Sequence, residues 1–353
     1  MDRPYVEELH IKNYGCIRDA TFRFTPLHAL IGPNDSGKST VLRALRTLAF
    51  LLNDSVNQRE QNALRQAILA SKSPQFEVSA AAMSWQVGFG DTADFRWRTL
   101  PRAEESRPWP DDAPSSTFRP LRGMSPARDI AQAIRGAQLV RLDPDSLRIP
   151  HPLIPDGQPL RFIDEHGTGL PALYDALVVR DLPVYIALNE QLARLFPSVK
   201  SVQLMNPNAS TKAIAVKLTD GTVVPTELMS EGLLYYLAFA ILPHLDPTPL
   251  LLIEEPENGL HPARIAEVMR VLRAISDKTQ VILATHSPLV INELQPEEVT
   301  VVTRSKEQGT KATLLKDTPN FEERSKVYAL GELWLSYANG EDEAPLLQGG
   351  PRP

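Results

Sequence analysis

The segment formed by residues 32–39 constrains the fold of this chain more than any other part of its sequence. It reads Gly-Pro-Asn-Asp-Ser-Gly-Lys-Ser, so two glycines enclose four residues and are followed by a lysine and a serine. An apolar run, residues 27–31, precedes it, and Val41 and Leu45 start an apolar stripe at helical spacing behind it. The order is strand, glycine loop, helix. Such a loop turns successive backbone N–H groups towards a bound phosphate.

The side chains of this loop carry the predicted phosphate chemistry. Lys38 neutralises the β- and γ-phosphates of a nucleoside triphosphate, and the Ser39 hydroxyl is a ligand for Mg²⁺. The positive end of the following helix adds to the attraction. The residues predicted to bind the nucleotide are Gly32, Pro33, Asn34, Asp35, Ser36, Gly37, Lys38, Ser39 and Thr40.

Two acidic residues end a second apolar strand. Residues 250–253 are Leu-Leu-Leu-Ile, and Glu254 and Glu255 follow directly. Carboxylates at the end of a buried strand are costly unless they meet cations, and a phosphate loop brings Mg²⁺. Because neighbouring side chains of a strand point to opposite faces, we expect Glu254 to serve the metal and Glu255 to orient the attacking water. The alternative is a solvated acidic strand end.

A histidine follows a third apolar strand, at the edge where ligands of open α/β sheets collect. Residues 281–284 lead into Thr285, His286 and Ser287. We interpret His286 as a hydrogen-bonding sensor of the γ-phosphate. The alternative is a structural histidine, which is the more common role of such a residue taken alone.

A fourth motif, Ser230, Glu231 and Gly232, stands directly before the apolar stretch 233–242. Ser230 is expected to cap a helix that starts here, because its hydroxyl accepts from a free N–H of the first turn. The sharper hypothesis is that Ser230, Gly232 and the helix N-terminus form a second phosphate clamp. One chain cannot close such a clamp on its own phosphate loop.

The elements around these motifs alternate along the chain. Strand signals at residues 213–218, 250–253 and 281–284 are separated by helices that start at Glu231 and Pro262. Strands joined by helices predict a parallel sheet with crossovers. At the N-terminus, alternating apolar residues around a turn at residues 13–15 predict a hairpin, and residues 170–196 predict two short helices, the second starting at Pro183.

Together these motifs resemble an ABC-type P-loop ATPase head. The similarity is greatest to the branch that includes RecF, the chromosome-maintenance (SMC) proteins and the overcoming-lysogenisation-defect (OLD-like) ATPases. It implies an α/β fold with N-terminal antiparallel strands, a mainly parallel central sheet flanked by helices, and an inserted irregular or helical arm. The motifs that carry it are residues 32–40, 230–232, 250–255, 257–262 and 285–288.

The resemblance also implies an activity and an assembly. Such heads bind ATP and Mg²⁺, hydrolyse ATP and dimerise head to tail around two ATP molecules, so we expect a homodimer, with higher oligomers left open. Ser230 and Gly232 of one protomer would face the γ-phosphate held by Lys38 of the other. Lys38, Glu255 and His286 would be catalytic. The expected role is an ATP-driven switch of a separate effector protein in DNA processing, DNA repair or anti-phage defence.

Three positions depart from the wider superfamily. Glu254 stands where most members have aspartate, so its contact with Mg²⁺ is expected to be indirect. The signature at residues 230–232 lacks the second glycine and the glutamine of transporter heads, and His261 replaces their aspartate. These departures favour the non-transporter branch. The alternatives are the ATP-binding subunit of a transporter and another P-loop NTPase such as a kinase.

Proline sets the predicted domain organisation. Of the 31 prolines among 353 residues, 11 fall in residues 101–159, which excludes long helices and central strands there. We predict a composite head from residues 1–52 and 200–340, an inserted arm from 53–199, and a flexible tail from 341–353. Neither a nuclease domain nor a long coiled coil is expected within this sequence.

The composition limits the setting of the chain. Cys16 is its single cysteine, so no internal disulfide forms, and the first ten residues lack the pattern of a signal peptide. The longest apolar run, residues 233–242, is about half of the roughly 20 residues that span a bilayer. We therefore expect a cytoplasmic protein without a membrane span.

The charge distribution leaves room for a local DNA contact. A net charge of −6 argues against a generally basic surface, but residues 118–148 hold six arginines against three acids. We take this region as a candidate contact for DNA. In the alternative, its arginines pair with local acids or bind the head. They are Arg119, Arg122, Arg128, Arg135, Arg141 and Arg148.

Overall fold

The computed structural model describes residues 3–52, 58–102, 115–116, 126–305, 307 and 309–333. Arg119, Arg122 and the predicted tail from residue 341 lie outside the described residues. Within the described ranges, no helix is both long and apolar enough to cross a membrane.

The chain forms two compact units. The first comprises Met1–Leu139, Thr248–Glu255 and Ser276–Pro353, and the second comprises Val140–Pro247 and Pro256–Ile275. These bounds differ from those of the predicted head and arm, because residues 53–139 belong to the first unit and residues 140–199 to the second.

The described residues contain the following regular elements. The strands are β1 (Glu8–Tyr14), β2 (Ile17–Arg23), β3 (Leu27–Ile31), β4 (Gln75–Ala80), β5 (Met83–Phe89), β6 (Phe95–Pro101), β7 (Ser115–Ser116), β8 (Gln138–Val140), β9 (His151–Pro152), β10 (Val199–Met205), β11 (Thr211–Leu218), β12 (Val223–Pro225), β13 (Leu250–Glu254), β14 (Gln280–Thr285), β15 (Val299–Ser305) and β16 (Gly309–Leu314). The α-helices are α1 (Lys38–Leu51), α2 (Gln58–Leu69), α3 (Arg128–Ile134), α4 (Pro144–Arg148), α5 (Leu170–Arg180), α6 (Leu182–Leu195), α7 (Glu231–Ile241), α8 (Pro262–Ser276), α9 (Pro288–Ile291) and α10 (Phe321–Arg324). Short 3-10 helices are Thr226–Leu228, Leu242–His244, Pro296–Glu298 and Leu315–Asp317.

An antiparallel sheet with the order β2-β1-β4-β5-β6-β7 forms one side of the first unit. Leu9 lies opposite Phe22 and Ile11 opposite Ala20, and these four side chains are buried. They share one face because successive side chains of a strand point to opposite sides. The predicted N-terminal hairpin is therefore confirmed.

Strands β4, β5 and β6 extend this sheet and are absent from the sequence predictions. They form a continuous meander, in which each strand pairs antiparallel with the next. Phe76, Val78, Trp85 and Val87 are buried in the same hydrophobic cluster as the N-terminal hairpin. Within the predicted arm, residues 75–101 are thus mainly sheet, and helix α2 precedes them.

A second sheet of the first unit has the order β16-β15-β3-β14-β13-β8. Strands β13, β14, β3 and β15 pair in parallel, and β16 pairs antiparallel with β15. Every residue of β3, β13 and β14 is buried, which is typical of parallel strands covered on both faces. The predicted, mainly parallel central sheet is confirmed for these strands.

Two buried polar side chains tie this sheet to its surroundings. Gln280, at the start of β14, accepts from the Val6 N–H at 2.9 Å and donates to the Val6 carbonyl oxygen at 2.8 Å. His28 on β3 lies with Nε2 2.8 Å from the Thr300 hydroxyl on β15. Burial lowers the pKa of His28 to about 3, so the imidazole is neutral at pH 7.

The second unit combines helices with a small antiparallel sheet. Helices α5 and α6 form the predicted pair, and Pro183 lies in the first turn of α6. Strand β11 pairs antiparallel with β10 and β12. Its predicted place in the parallel sheet is therefore wrong. The connections to its neighbours are too short for a parallel crossover, which needs about a dozen residues or more.

Candidate functional site

The loop between β3 and α1 approaches the neighbouring strand so closely that only glycine fits at its start. A Cβ on Gly32 would lie 2.0 Å from the Val302 carbonyl oxygen on β15. Gly37, the N-cap of α1, has φ 113°, a left-handed conformation that strains other residues. No side chain of the described residues caps this helix, so its first N–H groups suit an external acceptor such as phosphate.

Lys38 begins α1, and its ammonium points back into the loop. The side chain is buried, and Nζ donates to the carbonyl oxygens of Gly32 at 2.7 Å and Pro33 at 2.9 Å. A buried cation needs close acceptors, and these carbonyls hold it at the centre of the loop. The charge and the helix N-terminus together fit a polyphosphate.

Strands β15 and β16 support the loop from outside. Thr310 donates from Oγ1 to the Ser36 carbonyl oxygen at 3.1 Å, and Arg304 donates to the Asp35 carbonyl oxygen at 3.4 Å. The Ser36 hydroxyl is buried and has no hydrogen-bond partner in the described part of the chain. Sequence reasoning missed Thr310 and Arg304, because contacts with backbone carbonyls so distant in the chain leave no local pattern.

The parallel register sets Glu254 level with the loop. Glu254 pairs with Ala284 of β14, and Ala284 pairs with Leu30, one residue before the end of β3. The carboxyl ends of these strands thus share one sheet edge, where the loop and the acidic residues meet. Glu254 is buried and Ser39 is half-buried. Their oxygen donors fit Mg²⁺, which takes one or two carboxylates and fills its shell with phosphate and water oxygens.

Glu255 and His286 form a pair at the same edge. His286 Nε2 lies 2.7 Å from Glu255 Oε1, and the two side chains are 37% and 39% exposed, in that order. Because a carboxylate only accepts hydrogen bonds, Nε2 is the donor. Ser287 donates from its backbone N–H to Thr285 Oγ1 at 2.9 Å and so fixes the turn that carries His286. The sequence placed these residues on two strands, and the structure brings them into contact.

Glu255 also has an unusual backbone. Its φ is 49°, and its N–H donates to the Ala284 carbonyl oxygen at 2.8 Å. Strained backbone of this kind is often found where a side chain must be aimed. Because the side chain of Glu255 is partly exposed, its carboxylate can accept a hydrogen bond from water next to the phosphate-binding loop.

Ser230, Glu231 and Gly232 lie in the second unit, at the start of α7. Ser230 is the N-cap residue, but the prediction that its hydroxyl caps the helix is wrong. Its side chain is exposed, and no described side chain caps the N-terminus. A Cβ on Gly232 would lie 2.8 Å from the Gly259 carbonyl oxygen, so glycine allows the 257–262 segment to pack here.

The predicted arginine region is divided by the structure. Arg128 begins α3, Arg135 follows its last residue, and both are exposed in the first unit. Arg141 and Arg148 belong to the second unit, and Arg148 bonds to its own surroundings. Arg119 and Arg122 lie outside the described residues.

Known proteins resemble this chain in sequence and in fold. Over 40 residues it is 42% identical to the OLD nuclease of Thermus scotoductus, a match that spans 11% of the chain and 8% of that relative. A crystal structure of an SMC head bound to the C-terminal winged-helix domain of ScpA has a TM-score of 0.58 at 17% identity, covering 88% of this chain and 98% of the other. An SMC head of Pyrococcus furiosus with an extended coiled coil, bound to the C-terminal domain of ScpA, has a TM-score of 0.56 at 14% identity, covering 92% and 100%. These structural likenesses show the fold.

The family comparison spans most of the chain and includes every motif described above. Residues 27–292 match the family described as "AAA domain, putative AbiEii toxin, Type IV TA system". The chain therefore belongs to this family of AAA-type P-loop ATPase domains, with a fold like that of SMC heads.

Proposed function

We propose that this protein is a Mg²⁺-dependent ATPase whose protomers dimerise on ATP and thereby switch a separate effector protein. The observation that carries the proposal is the Glu255–His286 pair, which lies at the sheet edge shared with the phosphate-binding loop. A carboxylate and an imidazole in contact beside a P-loop suit hydrolysis. The carboxylate can orient water, and the imidazole can form a hydrogen bond that depends on the γ-phosphate.

The residues of the loop and of the neighbouring sheet edge each have a defined role in this proposal. Lys38 and the N-terminus of α1 bind the phosphates, and the Ser36 hydroxyl adds a donor from inside the loop. Ser39 directly, and Glu254 through a water, would hold Mg²⁺, which would supply positive charge to the phosphates. Glu255 accepts a hydrogen bond from the attacking water and aligns it with the γ-phosphorus. His286 holds the Glu255 carboxylate in that direction through the contact at 2.7 Å.

The dimer part of the proposal rests on α7. Its N-terminus lacks a side-chain cap in the described residues and begins with the exposed Ser230, so it is suited to accept a phosphate from outside. In the proposed dimer, this end of one protomer completes the phosphate site of the other. Closure then depends on the γ-phosphate, which gives two states that hydrolysis interconverts.

The effector is proposed to be a protein. Structural relatives of this fold include SMC heads bound to domains of ScpA. By analogy, the ATP-closed dimer would present or hide a docking surface for a partner in DNA processing, DNA repair or anti-phage defence. Arg148 does not contribute to a direct DNA contact in this proposal, since its guanidinium bonds to backbone carbonyls of the second unit.

The test is ATP turnover by the purified chain in Mg²⁺, with Lys38→Ala as the matched variant. We expect the parent to release phosphate and the variant to lose ATP binding. Transfer of the γ-phosphate to a second substrate instead of water would indicate a kinase. Copurification with a membrane permease would indicate a transporter subunit. Absence of ATP binding by the parent would overturn the proposal.

A further inference from the structure

The side chain of Arg148 forms hydrogen bonds with the turn that leads into the segment 230–232. The turn is the 3-10 helix Thr226–Leu228, followed by Met229. Arg148 donates from Nε to the Thr226 carbonyl oxygen at 3.2 Å and from Nη2 to the Met229 carbonyl oxygen at 3.3 Å. Its Nη1 donates to Asp145 at 3.0 Å. Two of the three bonds therefore hold backbone that lies immediately before Ser230.

The helix that carries Arg148 is itself firmly held. Asp143, the N-cap of α4, accepts from the backbone N–H and the hydroxyl of Ser146, both at 2.8 Å. Asp143 also donates from its N–H to the His166 carbonyl oxygen at 3.1 Å, and Leu147 is fully buried. A short helix with a satisfied cap and a buried anchor has little freedom to tilt. Arg148 thus starts from a fixed backbone.

The far side of the turn has its own anchor. Thr226 donates from Oγ1 to the Ile214 carbonyl oxygen on β11 at 3.0 Å. The turn is therefore fixed to the small sheet at its first residue, and Arg148 bonds to the carbonyl of that residue and to that of Met229, which follows the turn. Ser230, the next residue, is exposed.

We propose that Arg148 is a positioning residue for the segment 230–232. It sets the direction in which the N-terminus of α7, with Ser230 and Gly232, meets the γ-phosphate held by the partner protomer. The inference rests on the proposed function, in which each protomer completes the site of the other. In this proposal, Arg148 acts through the carbonyls of Thr226 and Met229 and not by contact with the nucleotide.

The chemistry of the side chain fits this task. A guanidinium presents several N–H donors in one rigid plane, so one side chain can bridge two carbonyl oxygens. A lysine ammonium is a compact charge on a flexible stem and cannot hold the same pair in a fixed geometry. The role also explains why Arg148 is only 21% exposed, which does not suit a DNA contact.

The first test compares three variants in a Glu255→Gln background, where ATP-bound dimers accumulate. Arg180 is the matched control, because it also donates to two backbone carbonyls of the second unit, those of Gln158 and Pro155, each at 2.9 Å. We expect Arg148→Ala to weaken ATP-dependent dimerisation about tenfold or more, which corresponds to the loss of two hydrogen bonds. Arg148→Lys should weaken it less, and Arg180→Ala should leave it unchanged.

ATP binding by separate protomers distinguishes a positioning role from a merely structural one, because general structural damage would also lower the affinity for ATP. Measured at protein concentrations too low for dimers, the affinity should equal the parental value in all three variants, since their P-loops are intact. Arg148→Lys keeps the test valid if the alanine variant fails to fold. An equal loss of dimer in Arg180→Ala, or parental dimerisation in Arg148→Ala, would overturn the inference.

The second test asks whether Arg148 acts on the partner's site. A Lys38→Ala protomer keeps its segment 230–232, and an Arg148→Ala protomer keeps its P-loop, so a mixed dimer has one intact site. The mixture should hydrolyse ATP faster than the sum of the two variants assayed apart, as a mixture of Lys38→Ala and Ser230→Leu should. If Ser230→Leu complements and Arg148→Ala does not, the inference is wrong while the proposed function stands. If the parent does not dimerise in ATP, both are wrong.

Discussion

At the scale of single residues, Glu255 combines a reactive group with an unfavourable backbone. A non-glycine residue at φ 49° costs on the order of 1–3 kcal/mol. The Ala284 carbonyl and the His286 ring hold it there, at 2.8 Å and 2.7 Å. With this backbone conformation, Glu255 no longer follows the alternation of side chains along strand β13. This is why Glu254 stays buried while its neighbour reaches the sheet edge.

Glu255→Gln separates binding from chemistry. The amide keeps the size of the side chain but is a poor acceptor for the proton of water, so we expect turnover to fall at least about a hundredfold. ATP affinity should stay at the parental value, because Lys38 and the loop are unchanged. Phosphate release and equilibrium nucleotide binding measure the two properties. Glu297→Gln, an exposed glutamate of the first unit, is the control and should retain parental turnover; parental turnover in Glu255→Gln would contradict the assignment.

His28 makes stability depend on pH. Its pKa is lowered by burial to about 3, against an ordinary value of about 6.5 in the unfolded chain. Between these values the unfolded state binds a proton that the folded state does not, so the free energy of unfolding falls as the pH is lowered. This one group contributes a slope of up to about 1.4 kcal/mol per pH unit.

The variant His28→Gln removes that slope. Denaturant unfolding at several pH values between 4 and 8 should show a shallower decline for the variant than for the parent, whatever its stability at pH 8. Identical slopes would mean that His28 becomes protonated in the folded state.

At the scale of elements, the phosphate-binding loop between β3 and α1 packs directly against strand β15. Gly32 lies so near β15 that a methyl group would meet the Val302 carbonyl oxygen at 2.0 Å. Gly32→Ala should therefore displace the loop, lower stability by about 2–3 kcal/mol and abolish ATP binding. Gly90→Ala is the control, since the nearest atom to its added methyl group would be 3.7 Å away. Calorimetry and nucleotide titration give both quantities, and an intact loop in Gly32→Ala would refute this reading of the contact.

Elements with a strong local pattern were predictable from sequence. Strands β3, β13 and β14 are short, mostly apolar and wholly buried runs that lead into polar motifs, and α1 carries an apolar stripe. Strand β6 was overlooked although Arg96 and Arg98 alternate with Phe95 and Trp97 as in a half-buried strand, because it borders a proline-rich region. Strand β11 was found, but its partners depend on short connections that the alternation of strands and helices did not reveal.

The candidate site likewise combines features that a local sequence pattern predicts with features that it does not. Lys38, Glu254, Glu255 and His286 follow strands or begin a helix, so their common edge could be inferred from the rule for parallel sheets. The Glu255–His286 contact needs the strained backbone of Glu255, which no pattern indicates. Arg148 acts on backbone carbonyls of a distant segment, and backbone acceptors are present at every position of a sequence. For this reason it was grouped with the arginines that we took as candidates for a DNA contact.

At the scale of the whole molecule, the proposed switch is a change of mass. In ATP and Mg²⁺ the Glu255→Gln variant should sediment as twice the 39.2 kDa monomer, because bound ATP is not removed. Without nucleotide it should sediment as a monomer. Lys38→Ala is the control and should stay monomeric in ATP. A Glu255→Gln variant that stays monomeric at saturating ATP would contradict the dimer.

The division into two units could not be predicted from composition. The prolines of residues 101–159 suggested one arm, yet that stretch contributes to both units. Each unit draws residues from separate parts of the chain, and contacts between distant segments decide where such a unit ends. The local conformational propensities of a sequence do not reveal such contacts.

The position of β3 has a consequence for synthesis. Its partners in the sheet, β14 and β15, begin only at Gln280 and Val299. The ribosome needs roughly 10–50 s to reach them at about 5–20 residues per second. During that time the N-terminal hairpin and its meander can form from consecutive strands, but β3, whose residues are all buried in the folded protein, has no partner on either edge. The nascent chain therefore carries an exposed, aggregation-prone strand next to its ATP-binding loop, and chaperones that shield such strands should decide how much active protein a cell obtains.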